Sequence, residues 1–340
     1  MKCGFIARAD NSGLGTLSWE FANHLKPDKV LLVQNGVFQV FPERYAKFET
    51  ITIPAHKTIS RDTAEEFLSG IDVLLSIETF YNWTMVILAR EMGVKTALIT
   101  MCEMYTEDFL SERLRPDLFI CPSKLDYQMF PEPKIYLPPP VNTEKLVWRK
   151  RTKPRLFIHP SSHGGVNLRK GTPLLLEAMK YVNSDIRLII YTWRDIFSTQ
   201  DKRVEIKKVN FENYWQIWEK GDILVYPQDY NGICLPVDEA FASGLGVITT
   251  DIFPFNTYLP KDLLFQPKEL YRMKAFKGGL DMLAAKISPQ VIAQKIDEVA
   301  KMESIEKYSL MGKKWSGENS WQVLLPKYEE TLQDLCDKKV

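Results

Sequence analysis

Short apolar runs recur along the chain, separated by longer stretches in which apolar residues return every three or four positions. Up to about Pro140 the runs are "CGFIARA", "KVLLVQ", "DVLLSIE", "KTALITM" and "DLFICPS". A strand buried on both faces reads this way. Between them, "GTLSWEFANHL", "SRDTAEEFLSG" and "NWTMVILAREMG" carry helical spacing. The alternation predicts a parallel sheet covered by helices.

The segment "YLPPPVNTEKLVWRKRTKPR" breaks the pattern, because three prolines and a basic run do not fit inside a sheet. A domain boundary belongs here. The basic residues Arg149, Lys150, Arg151, Lys153 and Arg155 read as a solvated linker, or else as a nucleic-acid or targeting patch. A second alternating unit follows. Its expected strands are "RLFIHP", "IRLIIYTW", "VEIKKV", "DILVYP" and "GVITTD". Its expected helices are "GTPLLLEAMKYV", "NYWQIWEKG" and "LPVDEAFASG". From Ser288 to Val340 the pattern is mostly helical, with a break near Gly317. Sheets of this kind bind ligands at the carboxyl ends of their strands, and two facing each other make one cleft.

Composition narrows the class. The chain has 340 residues, which suits two domains of about 150 each. It is 45% hydrophobic and 26% charged, the profile of a globular protein, and a net charge of +1 supplies no global pull toward nucleic acid or membrane. Its five cysteines are scattered, with no C-x-x-C pair, which speaks against a zinc site and a disulfide framework. No stretch approaches the roughly 20 apolar residues of a membrane span, and the first residues do not read as a signal peptide. A cytoplasmic protein is expected.

The stretch "PQDYNGICLPVDEAFASGLGVITTD", from Pro227 to Asp251, carries the sharpest chemistry. A strand ends, a loop turns, and Pro236 starts a helix, where its missing N–H does no harm. The amides of Gly232, Ile233, Cys234 and Leu235 then form an anion-binding arrangement, reinforced by the helix dipole. Glu239 lies one turn in. A carboxylate accepts two hydrogen bonds at once, which suits the paired hydroxyls of a ribose. The plainer alternative is an ordinary strand–loop–helix with a helix-favouring glutamate.

"NGICLPVDEAFASGLGVITTD" resembles the donor-binding signature of GT-B glycosyltransferases of the large family-4 type, E-G-F-G-L-P-x-x-E-A-x-A-x-G-x-P-V-I-A-T. The resemblance extends through "VNFENYWQIWEKGDILVYPQ", "LRKGTPLLLEAMKYV", "DLFICPSKLDYQMF" and "YLPPPVNTEKL", in order along nearly the whole chain. "ARADNSGLGT" and "SIETFYN" also resemble phage-encoded members of that group. The resemblance implies a GT-B fold of two Rossmann-like, doubly wound α/β domains. They span residues 1–143 for the acceptor and 144–320 for the nucleotide-sugar donor, with a terminal helix over 321–340 packing back toward the first.

It also implies roles. Glu239 matches the second glutamate of the family's Glu-x7-Glu motif, which holds the donor ribose. Asn231 stands where the first glutamate belongs, a departure that removes a charge. Lys170, followed by Gly171, matches the lysine that neutralises the donor diphosphate, and Arg169 is adjacent. The family's arginine after the first strand of this domain has no clear counterpart; Ser161, Ser162 and His163 stand there, as phosphate donors or as a polar loop. Gly13 and Gly15 match a loop bordering donor phosphates and acceptor. They do not complete a dinucleotide fingerprint, since Ser18 replaces the third glycine.

Three carboxylates are acceptor-side candidates. Asp10 reads as a base or as a turn-former. Glu78 ends a strand in "LLSIETFYN" and Glu103 ends the next in "LITMCEMY", where they can face a ligand or cap a helix. Tyr81 and Trp83 can stack on a sugar or fill the core. No D-x-D metal motif is present, so a metal-independent transferase is expected, with no cofactor beyond a nucleotide-sugar co-substrate, a UDP-sugar first. The family likeness implies transfer with retention to a protein, glycan or small-molecule hydroxyl. Two other functions stay open: a transferase acting on modified pyrimidines of phage DNA, and a non-catalytic protein that binds a phosphorylated ligand.

Overall fold

A computed structural model describes residues 1–34, 38–54, 59–162, 168–209 and 211–337. The chain divides into two compact units. The first comprises Met1–Pro140, Phe276–Leu280 and Trp321–Val340; the second comprises Val141–Ala275 and Asp281–Ser320.

The first unit is built on a seven-stranded parallel sheet. In chain order its strands are β1 (Cys3–Arg8), β2 (Lys29–Gln34), β3 (Glu49–Pro54), β4 (Val73–Ile77), β5 (Lys95–Ile99), β6 (Leu118–Cys121) and β7 (Lys134–Tyr136). In space they run β3-β2-β1-β4-β5-β6-β7. Its helices are α1 (Gly13–Leu25), α2 (Arg61–Leu68), α3 (Thr84–Glu91) and α4 (Lys124–Met129). The central strands are apolar because both faces are covered: Phe5, Val73, Leu74, Leu75 and Leu98 have no exposed surface.

The second unit repeats the plan. Its strands are β8 (Leu156–Ser162), β9 (Arg187–Thr192), β10 (Val204–Lys208), β11 (Ile223–Tyr226), β12 (Gly246–Thr250) and β13 (Leu264–Phe265), in the spatial order β10-β9-β8-β11-β12-β13. An antiparallel pair, β14 (Glu269–Lys274) and β15 (Asp281–Lys286), follows. The helices are α5 (Thr172–Ala178), α6 (Leu235–Ala242), α7 (Pro289–Ala300) and α8 (Glu306–Glu318). The last helix, α9 (Trp321–Asp337), is part of the first unit. There Trp321 and Tyr328 pack edge-on against Phe21, and Tyr328 Oη donates to the Leu137 carbonyl.

Both sheets therefore share a doubly wound order whose direction of winding reverses once, between β1 and β4 and between β8 and β11. Ligands of open α/β sheets bind outside the strand ends at such a reversal.

The sequence pattern and the structure differ in places. Helix α1 starts at Gly13 rather than at Gly15, where "GTLSWEFANHL" begins, because the Ser12 hydroxyl caps it by accepting from Gly15 N at 3.2 Å. "NYWQIWEKG" forms a short 3-10 turn, Tyr214–Trp218, held by a capping box of Asn213 and Gln216. The basic linker run is not merely solvated. Arg149 and Arg151 donate to the carbonyls of Glu219 and Trp218, Lys153 to that of Glu303, and Lys150 pairs with Glu306 at 2.6 Å.

Candidate functional site

In the second unit two loops leave the sheet at the β8/β11 reversal. One is the stretch Leu168–Gly171, and the other runs from Pro227 to Cys234. They are fastened together: Asp229 N donates to the Arg169 carbonyl at 3.0 Å. Gly171 has φ +72°, and a Cβ there would lie 2.0 Å from the Pro227 carbonyl oxygen. Only glycine combines that left-handed backbone with that approach. The Lys-Gly step thus lies against the start of the signature loop.

This contact brings Lys170 to the strand ends. Lys170 Nζ donates to the Ser161 carbonyl at 3.1 Å. Burial, then the like charge of Arg169, lowers its pKa to about 8. The Arg169 guanidinium lies 5.4 Å from the ring centre of Tyr230. Ser161 is fully buried, and its hydroxyl is 2.9 Å from that of Thr172, which is 2.7 Å from His159 Nε2. His159 Nδ1 is 2.8 Å from the Val225 carbonyl, which can only accept, so Nδ1 carries the proton and Nε2 accepts. Burial holds this ring near pKa 4, hence neutral. The Ser161 hydroxyl is committed to this internal chain, and its carbonyl receives the lysine. His163 lies outside the described residues.

The signature loop is held from below. Asn231 Nδ2 donates to Gln228 Oε1 at 3.1 Å, Gln228 Nε2 donates to Thr249 Oγ1 at 3.2 Å, and the Gln228 carbonyl accepts from Thr250 Oγ1 at 2.7 Å. This chain fixes the loop that carries Gly232 and Ile233. Helix α6 then begins at Leu235 with Pro236 in its first turn. The residue before it, Cys234, is not one of the oxygen-bearing side chains that usually cap a helix start. Burial pushes the Cys234 thiol up to about 12, so it stays neutral beside Lys170. One turn into α6, Glu239 Oε2 accepts from Trp218 Nε1 at 2.9 Å. Its neighbour Asp238 is buried, accepts from Tyr258 Oη at 2.7 Å, and is raised by burial to about 7. Among the described residues the site brings Lys170 and Arg169 together with the start of α6 and the carboxylate of Glu239, an arrangement suited to a diphosphate joined to a diol.

The β1/β4 reversal of the first unit gathers a second group. Asp10 has no exposed surface. Its Oδ2 accepts from Arg8 Nε at 2.6 Å, and its Oδ1 accepts from Ser12 N at 2.9 Å. Gly15 is used for a close approach to this same residue, since a Cβ there would lie 1.9 Å from the Asp10 carbonyl oxygen. Gly13 opens α1 beside it. Glu78 and Tyr81, just beyond β4, have φ +69° and +59°. Positive φ at two such residues stores strain, which collects at functional positions. Burial, then the Glu78 charge, raises the Tyr81 hydroxyl far above its usual range. Glu103 belongs with other partners: it is 3% exposed, next to Asp126, whose carboxyl is raised to about 7 by burial and by the Glu103 charge. Trp83 stacks on Phe109 at 4.0 Å, in the aromatic core.

Sequence reasoning did not single out Trp218 or Arg8. Trp218 sits 21 positions before the carboxylate it holds. Arg8 was readable only as the polar end of a strand, two residues before an aspartate. Among the described residues, no group of three or more His, Cys, Asp or Glu is placed to hold a metal ion, and no helix is long and apolar enough to cross a membrane.

With its two doubly wound units and parallel sheets of seven and six strands, the chain has the GT-B fold. No protein-family model matches it, and no curated protein matches it by sequence. It is similar in structure to HepE from Anabaena, solved with UDP and glucose, with a TM-score of 0.70, 11% identity, and coverage of 98% of this chain and 100% of that one. Sucrose-phosphate synthase from Thermosynechococcus elongatus aligns with a TM-score of 0.67 at 13% identity, over 98% of this chain and 99% of that one. The pneumococcal O-GlcNAc transferase GtfA, solved with UDP and GlcNAc, aligns with a TM-score of 0.55 at 13% identity, over 81% and 60%. These structural neighbours are glycosyltransferases of the GT-B type.

Proposed function

We propose that this protein is a glycosyltransferase that moves a hexosyl group from a UDP-sugar to a hydroxyl acceptor, without a metal ion and with retention of configuration. The carrying observation is the Asp229–Arg169 fastening. It brings Lys170 to the loop that leads into α6 and Glu239 at one switch point. In this reading Lys170 and the amides from Gly232 to Leu235 take the diphosphate, with Arg169 alongside. Glu239, aimed by Trp218, takes the two ribose hydroxyls, and Asn231 contacts the donor sugar. The structural neighbours solved with UDP and a sugar support the donor class.

The reaction breaks the bond from the anomeric carbon to the diphosphate oxygen and forms one to the acceptor oxygen on the same face. The acceptor proton passes to the departing phosphate oxygen. Lys170 offsets the charge that grows on that phosphate, which is the argument for doing without a metal. Asp10 and Glu78 belong to the acceptor side, Asp10 through its ion pair with Arg8 and Glu78 through its strained backbone. Glu103 is the weakest of the three, being buried beside Asp126. The acceptor is a protein, a glycan or a small molecule. A modified phage DNA base is a poorer fit, because the basic run is already engaged with carbonyls and with Glu306.

Calorimetric titration with UDP, followed by incubation with UDP-glucose, UDP-GlcNAc and UDP-galactose and an assay for released UDP, tests the reading. UDP binding lost in Glu239→Ala, together with turnover of one sugar nucleotide, is the expected result. UDP binding without any turnover favours a non-catalytic ligand-binding protein. No binding of UDP rejects the donor assignment.

A further inference from the structure

Strand β8 ends irregularly, and the irregularity falls on the residue that receives Lys170. In the β8/β9 register Pro160 pairs with Tyr191 and Ser162 with Thr192, so Ser161 is the extra residue of a bulge. Ser162 takes φ +52°, which strains a residue other than glycine. On the other side, β8 and β11 pair at Phe157–Ile223 and Ile158–Leu224, and the ladder stops there. Bulges collect beside functional sites, where they end pairing and re-aim what the strand carries. The Ser161 carbonyl takes Lys170 Nζ at 3.1 Å. We propose that His159, acting through Thr172, is the positioning residue of this bulge and holds the Ser161 carbonyl where it fixes the Lys170 ammonium.

The holding chain runs from β11 to α5 and back to β8. His159 Nδ1 reaches the Val225 carbonyl at 2.8 Å, one residue beyond the last β8/β11 pair, so an imidazole continues the link where the ladder stops. Its Nε2 lies 2.7 Å from the Thr172 hydroxyl, which lies 2.9 Å from the Ser161 hydroxyl. Thr172 is the first residue of α5, directly after Gly171. The chain thus pins both flanks of Lys170: Ser161, which accepts its ammonium, and Gly171–Thr172, which follows it. The three side chains are at most 1% exposed, so they act on a ligand only through the lysine.

Replacing both partners of a buried hydrogen bond by apolar groups of the same shape is nearly neutral for stability. Phe157 and Ile158, just before this chain, are apolar and fully buried, so stability alone does not call for polar groups here. What a hydrogen bond adds to packing is direction, and an ammonium needs its acceptor in one place. Lys170 faces Arg169, the Cys234 thiol and the His159 ring. Burial keeps the thiol and the ring neutral, so burial and Arg169 set the titration of the lysine. The effect of the chain on UDP rests on the donor-site reading; its effect on Lys170 does not.

The test follows Lys170 by NMR of the full chain carrying 13C-labelled lysine, with its signal assigned by Lys170→Met, and then by UDP titration. Thr172→Val removes the hydroxyl at nearly constant shape, Thr172→Ser keeps it, and His159→Phe keeps a ring without its nitrogens. In the native chain and in Thr172→Ser, Lys170 should titrate near 8. In Thr172→Val and His159→Phe the ammonium is released toward water, and its pKa should climb by about one unit or more toward the usual 10.5. Thr172→Val should weaken UDP about tenfold in the native background and not at all in Lys170→Met, because the chain acts through the lysine. If His159→Phe does not fold, Thr172→Val decides alone. A lysine that still titrates near 8 in Thr172→Val overturns the proposal. So does a loss of UDP affinity that is the same in the Lys170→Met background, the pattern of a purely structural chain. If UDP does not bind the native chain, the donor assignment fails, and the lysine titration by itself decides the positioning role.

Discussion

Trp218 Nε1 lies 2.9 Å from Glu239 Oε2, so an indole N–H orients the carboxylate one turn into α6. A hydrogen bond to a charged group contributes about 1.5–3 kcal/mol. Held in this way, Glu239 keeps one geometry toward a diol. The native protein should bind UDP about tenfold more tightly than 2′-deoxy-UDP. Glu239→Ala should weaken UDP roughly 10- to 100-fold. Trp218→Phe, which keeps a ring but loses the N–H, should erase much of the preference for the 2′-hydroxyl. Calorimetry with both nucleotides reads this; a preference unchanged in Trp218→Phe would remove the positioning role.

Lys170 should make the proposed donor site sensitive to pH. Burial and Arg169 lower its pKa to about 8, and the negative charge of a bound diphosphate would raise it again. Binding above pH 8 therefore takes up a proton, and UDP affinity should fall as pH rises past about 8, approaching tenfold per pH unit. Below pH 7.5 this dependence should be flat. In Lys170→Met the affinity should be lower throughout and the slope above pH 8 should vanish. UDP titrations from pH 6.5 to 9.5 check both arms.

Gly171 should tolerate no side chain. Its φ of +72°, and the 2.0 Å that would separate an added Cβ from the Pro227 oxygen, mean that Gly171→Ala must push the two loops apart. Strain of this kind costs of order 1–3 kcal/mol. A lowered Tm and a weaker UDP Kd are expected together, because the same contact positions Lys170. Loss of Tm with an unchanged UDP Kd would show that the loop contact does not place the lysine.

Asp238 should lower stability at neutral pH. Its folded pKa, about 7, lies above the usual value of 3.8, so between those limits the folded state holds more protons than the unfolded one. Its contribution therefore falls as pH rises from about 4 to 7 and stays low above that. Asp238→Asn, which can still accept from Tyr258, should raise Tm most above pH 7 and least near pH 4. Thermal unfolding of both proteins across that range provides the comparison.

Asp10 and Arg8 form a buried pair, with Asp10 fully enclosed. Removing one partner of such a pair costs about 3–5 kcal/mol, because the other charge stays buried alone. Asp10→Ala should lower Tm strongly and leave UDP binding by the remaining folded protein within about twofold. Asp10→Asn, which keeps the bond to Ser12 N, should recover part of the loss. A general base would behave otherwise, with activity lost at an unchanged Tm.

Much of this was legible along the chain. Strands β1, β2, β4, β5, β6, β8, β9, β11 and β12 appear as apolar runs because both faces of each central strand are buried, the edge strand β10 is legible only as the alternation "VEIKKV", and Glu239 and Lys170 stand in the motifs that carry the resemblance. Strand β3 is not legible, since its burial alternates between exposed and intermediate at a sheet edge, and β13 is only two residues long. The order of the strands, and with it the two switch points, depends on pairing between distant segments. So do the Asp229–Arg169 bond and the approach of Glu78 and Tyr81 to the Arg8–Asp10 pair, while the Trp218–Glu239 bond spans only 21 positions but needs the turn and helix α6 folded against each other. The sequence by itself determined which segments must be buried and which residue types can meet a phosphate or a diol, because burial and chemistry are local properties of side chains. Only the tertiary structure decided which of those residues meet, because loops more than fifty positions apart come together only once the sheet beneath them is ordered.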